Sequence, residues 1–356
     1  MYCNTKTVEF CKVFAQYISM RYTLGKWKVW KWISERKRRQ PMILSVSRRT
    51  DIPNYYSDWF YERIRQGFLY VRNPMNPHQV SRITLSPEVI DCIVFWTKNP
   101  KPMMARLGEL SGYPYYFQFT LTGYGTDIEP GVPHKRKQMI PIFRELADQI
   151  GMERVIWRYD PVFFNKVYTR EYHERAFAEI AGALRGYTKK CVISFVDIYA
   201  KNRKNMEAFG VEKCGEEELR AFARRLAQIA HANQMEIASC AEALDLSACG
   251  ILPNCCIDQT LIEKIIGCRI EAKKDSGQRA ECGCIESVEV GSYHTCRNGC
   301  KYCYANISAE QVQRNALRYD PVSPLLCGKL TDADKITERR MKSLRSEQMS
   351  CTDFGI

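Results

Sequence analysis

The 356 residues read as an α/β chain, a parallel (β/α)8-like barrel, complete or partly open, with a cysteine-rich loop after its last strand. Three observations point there. From Met42 onward, short apolar runs rich in β-branched and aromatic residues alternate with segments of helical period. Strands alternating with helices need crossover connections, which make neighbouring strands parallel. Polar clusters follow several of the runs, as they do on the active rim of a parallel barrel.

The first run, Ile43–Ser47, ends in Ser47-Arg48-Arg49-Thr50-Asp51 and leads into an amphipathic segment, Asp58–Gln66. Phe68–Val71 is the second run. Cys92–Trp96, the third, ends in Thr97-Lys98-Asn99, and Tyr115–Leu121, the fourth, closes on Thr120-Leu121-Thr122. Helical period over Met139–Ile150 precedes the fifth run, Arg154–Trp157, which is followed by Arg158-Tyr159-Asp160. Tyr172–Leu184 is helical, Cys191–Val196 is the sixth strand with Asp197 and Lys201 beyond it, and Glu216–Ala232 is a further helix. Glu236–Ser239 is the seventh run, and the eighth, Ser287–Tyr293, stands immediately before the cysteine loop. The expected parts are a leader over 1–41, the barrel over 42–293, and a cysteine loop with C-terminal helix and tail packed on it over 294–356.

Charge concentrates in the leader. Residues 1–41 hold ten Lys/Arg against two Asp/Glu, so +8 of the net +13 sits there and the other 315 residues carry +5. That is too mild for a polyanion partner, which needs a concentrated basic surface. A nucleic-acid-binding module is thus an alternative that rests on the leader alone. Charges at Glu9, Lys12, Arg21 and Lys26 interrupt any secretory core, and nothing approaches the ~20 apolar residues of a membrane span. The shift in composition favours Met42 as the working start over a basic helix lying on a membrane surface.

Of the seventeen cysteines, twelve lie from Cys240 onward. A large chain with its cysteines packed into one region reads as metal-binding in a reducing cytosol, not as a disulfide scaffold. Cys296, Cys300 and Cys303 are spaced three and then two residues apart, and three such thiolates can ligate three irons of a 4Fe–4S cubane, leaving the fourth iron open. Structural zinc, the alternative, usually takes two separated Cys-x2-Cys pairs. Cys240, one cysteine of the Cys255-Cys256 pair, and Cys282 with Cys284 make four further thiolates, enough for a second 4Fe–4S cluster or a zinc. Cys92 and Cys191, inside strands, read as small hydrophobes. His173 and His231 lie in helical text and read as surface residues, while His294 adjoins the loop with a structural role expected. No His-Glu-x-x-His, Gly-x-Ser-x-Gly or phosphate-loop string occurs. Arg48, Lys98 and Arg158, with Arg49, would share one rim and suit an anionic ligand.

Four strings carry a resemblance: Ser47-Arg48-Arg49-Thr50-Asp51-Ile52-Pro53, Phe95-Trp96-Thr97-Lys98-Asn99-Pro100, Trp157-Arg158-Tyr159-Asp160-Pro161, and Cys300-Lys301-Tyr302-Cys303-Tyr304-Ala305-Asn306. Together they resemble the bacterial family known as domain of unknown function 1848, over Met42 to Leu326. The cysteine loop, with Tyr302 before its last cysteine, also resembles that of radical S-adenosylmethionine enzymes of the spore photoproduct lyase type. This second likeness spans some ten residues and implies cluster chemistry only. It implies S-adenosylmethionine on the open iron, cleaved to a 5′-deoxyadenosyl radical, and an electron donor such as flavodoxin or ferredoxin. Tyr302, Asp51 and Asn99 are the expected contacts to that cofactor, and Arg48, Lys98 and Arg158 the catalytic candidates. The first likeness favours Cys256 over Cys255 as ligand. Two departures stand out: the loop follows the last strand instead of the first, which a circular permutation would reconcile, and no Gly-Gly-Glu string is present.

Overall fold

The computed structural model describes residues 42–306, 308–341 and 343–345. The leader therefore lies outside the described residues. Contacts divide the chain into two units, and the one that contains residues 42–339 holds every strand and helix given below. Its strands are β1 (Ile43–Val46), β2 (Phe68–Asn73), β3 (Asn76–Thr84), β4 (Cys92–Thr97), β5 (Tyr115–Thr120), β6 (Val155–Val162), β7 (Lys190–Phe195), β8 (Glu236–Ser239), β9 (Leu252–Pro253), β10 (Val288–Glu289) and β11 (Lys335–Glu338).

Eight of them form one sheet in the order β10-β1-β4-β5-β6-β7-β8-β9, and every ladder in it is parallel. The strands read as continuous apolar runs because a parallel sheet is covered on both faces: all four residues of β1 are buried, as are five of the six in β5. Helices Ile140–Ile150, Arg170–Leu184 and Glu216–Ala232 bury Phe143, Phe177 and Phe222. Phe143 meets Phe119 of β5 at 4.9 Å between ring centroids, and Phe177 stacks on Trp157 of β6 at 4.7 Å. Thr169 starts the second of these helices by accepting from the Tyr172 amide at 3.2 Å, a cap worth about 1 kcal/mol.

Most strands lie where the apolar runs put them, and β8 keeps the expected bounds. The expected last strand shrinks to β10, yet it runs parallel beside β1, Leu44 opposite Val288 and Ser45 opposite Glu289. One assignment is corrected. Phe68–Val71 is a strand, but it pairs antiparallel with β3 in a separate sheet of order β11-β3-β2. The short turn between Asn73 and Asn76 makes β2 and β3 an antiparallel hairpin, so the helix Ser57–Gln66 after β1 leads out of the parallel sheet and β4 takes the place beside β1. The vacated eighth place is filled by β9, a two-residue strand too short to leave a periodic signal. No ladder joins β9 to β10 among the described residues, and none of their helices is long and apolar enough to cross a membrane.

His173 is the second correction, since it is fully buried and not on the surface. Its Nδ1 lies 2.8 Å from the Tyr159 hydroxyl and its Nε2 3.0 Å from the Phe163 carbonyl, which assigns a neutral ring carrying its proton on Nε2. Burial lowers its pKa from 6.5 to about 4. The unfolded chain therefore takes up the proton first, so this contribution is whole above pH 6.5 and is lost as pH falls towards 4, in total about 3 kcal/mol. The urea midpoint should fall between pH 7 and pH 5, and His173→Gln should flatten that slope. An identical slope in the variant would show that the histidine has no part in it.

Candidate functional site

The C-terminal ends of the strands surround one cavity of about 580 Å³. Arg48 and Asp51 reach it from the turn after β1, Lys98 from the end of β4, and Arg158 from β6. Tyr302 with Cys296, Cys300 and Cys303 lines it from the loop after β10, because β10 lies beside β1. Cys240, Cys256, Cys282 and Cys284 line it as well. Asn99 is not among the lining residues: its Nδ2 donates to Asn54 Oδ1 at 3.0 Å and its Oδ1 accepts from the Lys101 amide at 3.2 Å. His294 is not among them either.

A buried polar network holds the cysteine loop down. Glu129, fully buried, forms ion pairs with Lys98 at 2.7 Å and Lys135 at 2.5 Å and accepts a hydrogen bond from the Tyr302 hydroxyl. Burial alone would push Glu129 up, but the two lysines win and hold it at about 2. Lys98 also packs against the Tyr302 ring, 5.6 Å from its centroid. Asn202 donates to the Tyr302 carbonyl at 2.9 Å, and Tyr56 to that of Thr295 at 2.6 Å. Gly131 sits so close that a Cβ there would meet Arg297 O and Asn298 Cα at 2.7 Å, backbone atoms that have nowhere to move.

Asp51 is saturated. It accepts from the Thr97 hydroxyl (2.7 Å), the Lys98 amide (2.8 Å), the Asn54 amide (3.2 Å) and Asn298 Nδ2 (3.0 Å). Burial raises its pKa while those donors work the other way. It therefore ties the turn after β1 to the cysteine loop through Asn298. Burial likewise pushes the Cys296 thiol up to about 12, and raises Cys300 and Cys303. Each of the three is an unpaired thiol, and their charges act on one another across the loop.

Arg158 is similarly committed. Its Nε donates to Asp160 Oδ2 at 3.0 Å, and its Nη1 lies 2.8 Å from Cys256 Sγ and 3.4 Å from Gln118 Oε1. Arg48 keeps a buried Nη2 without a hydrogen-bond partner. Both guanidinium carbons lie 5.2 Å from the centroid of the Trp96 ring, whose indole nitrogen is also buried and unpartnered.

Glu129, Glu289 and Asn298 escaped the sequence reading. Glu289 accepts from the Ser45 hydroxyl at 2.9 Å, the Ser47 hydroxyl, and the Arg48 amide at 3.1 Å, fastening β10 to the turn after β1. Asn298, inside the cysteine loop, had a local signal in its position. Glu129 had none, because Lys98 and Tyr302 are distant in sequence and Lys135 is one of three adjacent basic residues there. Among the described residues, no group of three or more His, Cys, Asp or Glu is arranged to hold a metal ion as the side chains stand.

The model of a family described as Domain of unknown function (DUF1848) matches residues 43–305, which include every strand of the parallel sheet and both cysteine groups. No curated protein matches the chain.

Proposed function

The chain belongs to the DUF1848 family, and from that premise we propose that it is an iron–sulfur enzyme of the radical S-adenosylmethionine type, on a circularly permuted (β/α)8-like barrel. One observation carries the reading: Cys296, Cys300 and Cys303, three unpaired thiols in one short loop, open onto the cavity at the strand C-termini. The donor set fits a 4Fe–4S cluster with one iron free of protein ligand, since three thiolates are offered and a cavity adjoins them. Such a cluster, when bound with S-adenosylmethionine, supplies one-electron cleavage of the sulfonium to a 5′-deoxyadenosyl radical.

The chain's own residues do the rest. Glu129 with Lys98 and Lys135 fixes Tyr302 and so the loop, while Asp51 fixes Asn298. Lys98 leaves positive charge beside Cys300, which favours a thiolate there. Arg158 is taken by Asp160 and Cys256, so an anionic substrate would meet Arg49 instead. That guanidinium packs on Tyr293 at 4.8 Å, and Lys201 approaches the same ring at 4.6 Å. Free thiols throughout the described residues suit a reducing cytosol, and a flavodoxin or ferredoxin would supply the electron.

Anaerobically reconstituted protein, reduced with dithionite and given S-adenosylmethionine, should release 5′-deoxyadenosine and methionine. The cofactor should also perturb the cluster's electron-resonance signal. Stoichiometric zinc with no iron uptake, or a loaded cluster blind to the cofactor, would overturn the reading in favour of a structural or electron-transfer metal site.

A further inference from the structure

The second cysteine group is assembled by the sheet. β8 and β9 run parallel with Ser239 opposite Pro253, and the Asn254 amide donates to the Ser239 carbonyl at 2.7 Å. Cys240 and Cys256 thus leave adjacent strand ends, and their sulfurs lie 3.3 Å apart. Cys282 and Cys284 pack into the same buried cluster and line the same cavity wall. Tetrahedral zinc, at Zn–S of about 2.3 Å, sets its ligand sulfurs roughly 3.8 Å apart, close to the spacing between Cys240 and Cys256.

The surroundings treat these sulfurs as acceptors. Arg158 Nη1 lies 2.8 Å from Cys256 Sγ, Asn254 Nδ2 donates to the same sulfur at 3.2 Å, and the Ile257 amide donates to Cys284 Sγ at 3.3 Å. Donors converging on a sulfur stabilise a thiolate and orient a metal ligand. Arg48, with its buried unpartnered Nη2, packs on the same Trp96 ring as Arg158 and feels the charge of Cys284, then of Glu289 and Cys256. A buried cation with an unused donor is costly unless negative charge faces it.

We propose that Cys240, Cys256, Cys282 and Cys284 hold a dianionic four-thiolate metal centre on the wall of the cavity, with Arg48 and Arg158 as its positioning counter-charges. One Zn2+ or one 4Fe–4S cluster bound by four thiolates carries that charge. Loading turns the four sulfurs towards a common point. The centre is independent of the radical chemistry assigned to the other cysteine loop, and Arg48 and Arg158 belong to it and not to a substrate.

The test uses full-length protein, purified anaerobically, in the C296A/C300A/C303A background, so that failure of the first cluster does not affect it. That protein should retain either one zinc, colourless, or about four irons with sulfide and visible absorption, and lose it on adding C256S/C284S. Either metal supports the site, and the two readouts separate the sources. R48M and R158M, each added to that background, should weaken retention against a competing chelator by about 10–100-fold. A background protein with neither metal, metal unchanged in C256S/C284S, or arginine variants that hold it equally well would overturn the proposal. Thiol alkylation of the unmodified protein guards against misfolded variants. The four cysteines should be protected together and released together by chelator, and labelling that chelator does not change would also overturn it.

Discussion

Replacing Cys296, Cys300 and Cys303 together with alanine is expected to remove about four irons and four sulfides per chain and to bring S-adenosylmethionine cleavage down to background. The effect should be all-or-none because, on the proposed reading, the three thiolates of this single loop share one cluster. The loop's anchors are side chains other than the cysteines: Tyr302 on Glu129, Asn298 on Asp51, and the Tyr56 hydroxyl on the Thr295 carbonyl. The alanine variant should therefore fold, with its circular dichroism unchanged. Iron and sulfide analysis, together with quantification of 5′-deoxyadenosine, checks this. Full iron content in the triple variant would place the cluster elsewhere.

The second large effect falls on Glu129, which the chemistry itself does not touch. Glu129→Ala leaves Lys98 and Lys135, whose side chains are 11% and 16% exposed, without the carboxylate that compensates them. Breaking a buried pair in this way costs about 3–5 kcal/mol, a large share of a domain's ordinary stability. The sign of the pH dependence follows from the same pairs. Glu129 is held at about 2, below its ordinary 4.5, so its contribution is present above pH 4.5 and is lost as pH falls towards 2. Urea denaturation at pH 7 should show the loss, and iron loading should fall with it because Tyr302 loses its acceptor. Stability equal to that of the unsubstituted chain would mean that the network does not hold the loop.

Where the sequence reading succeeded, the signal was local. β1, β4, β5 and β7 follow from apolar runs, since most residues of such a strand are buried by the layers on both faces of the sheet. That Cys296, Cys300 and Cys303 stand together on one loop was legible because that signal is local too, and the structure sets that loop on the cavity. The failures were of partnership. Phe68–Val71 has the composition of a sheet strand and gives no sign that it pairs with β3. His173 sits among charged neighbours in helical text, and only the fold shows that it faces Tyr159 and Phe163. Arg158 looked free to grip an anion until Asp160 and Cys256 were found to occupy it.

An alternating α/β chain, membership in one family, and a C-terminal part rich in cysteines, three of them in one loop, follow from the residues alone. Periodicity and spacing are properties of neighbours along the chain, so they survive without a structure. Only the tertiary structure decided that both cysteine groups line one cavity, that Asp51 and Arg158 are spent on holding other groups, and that Glu129 anchors the loop. The contacts of Asp51 with Asn298, Glu129 with Tyr302 and Arg158 with Cys256 join residues tens to hundreds of positions apart, brought together by the register of β10 on β1 and of β9 on β8. A strand's register is set by what it buries and by the turns that deliver it, and neither is written at any single position.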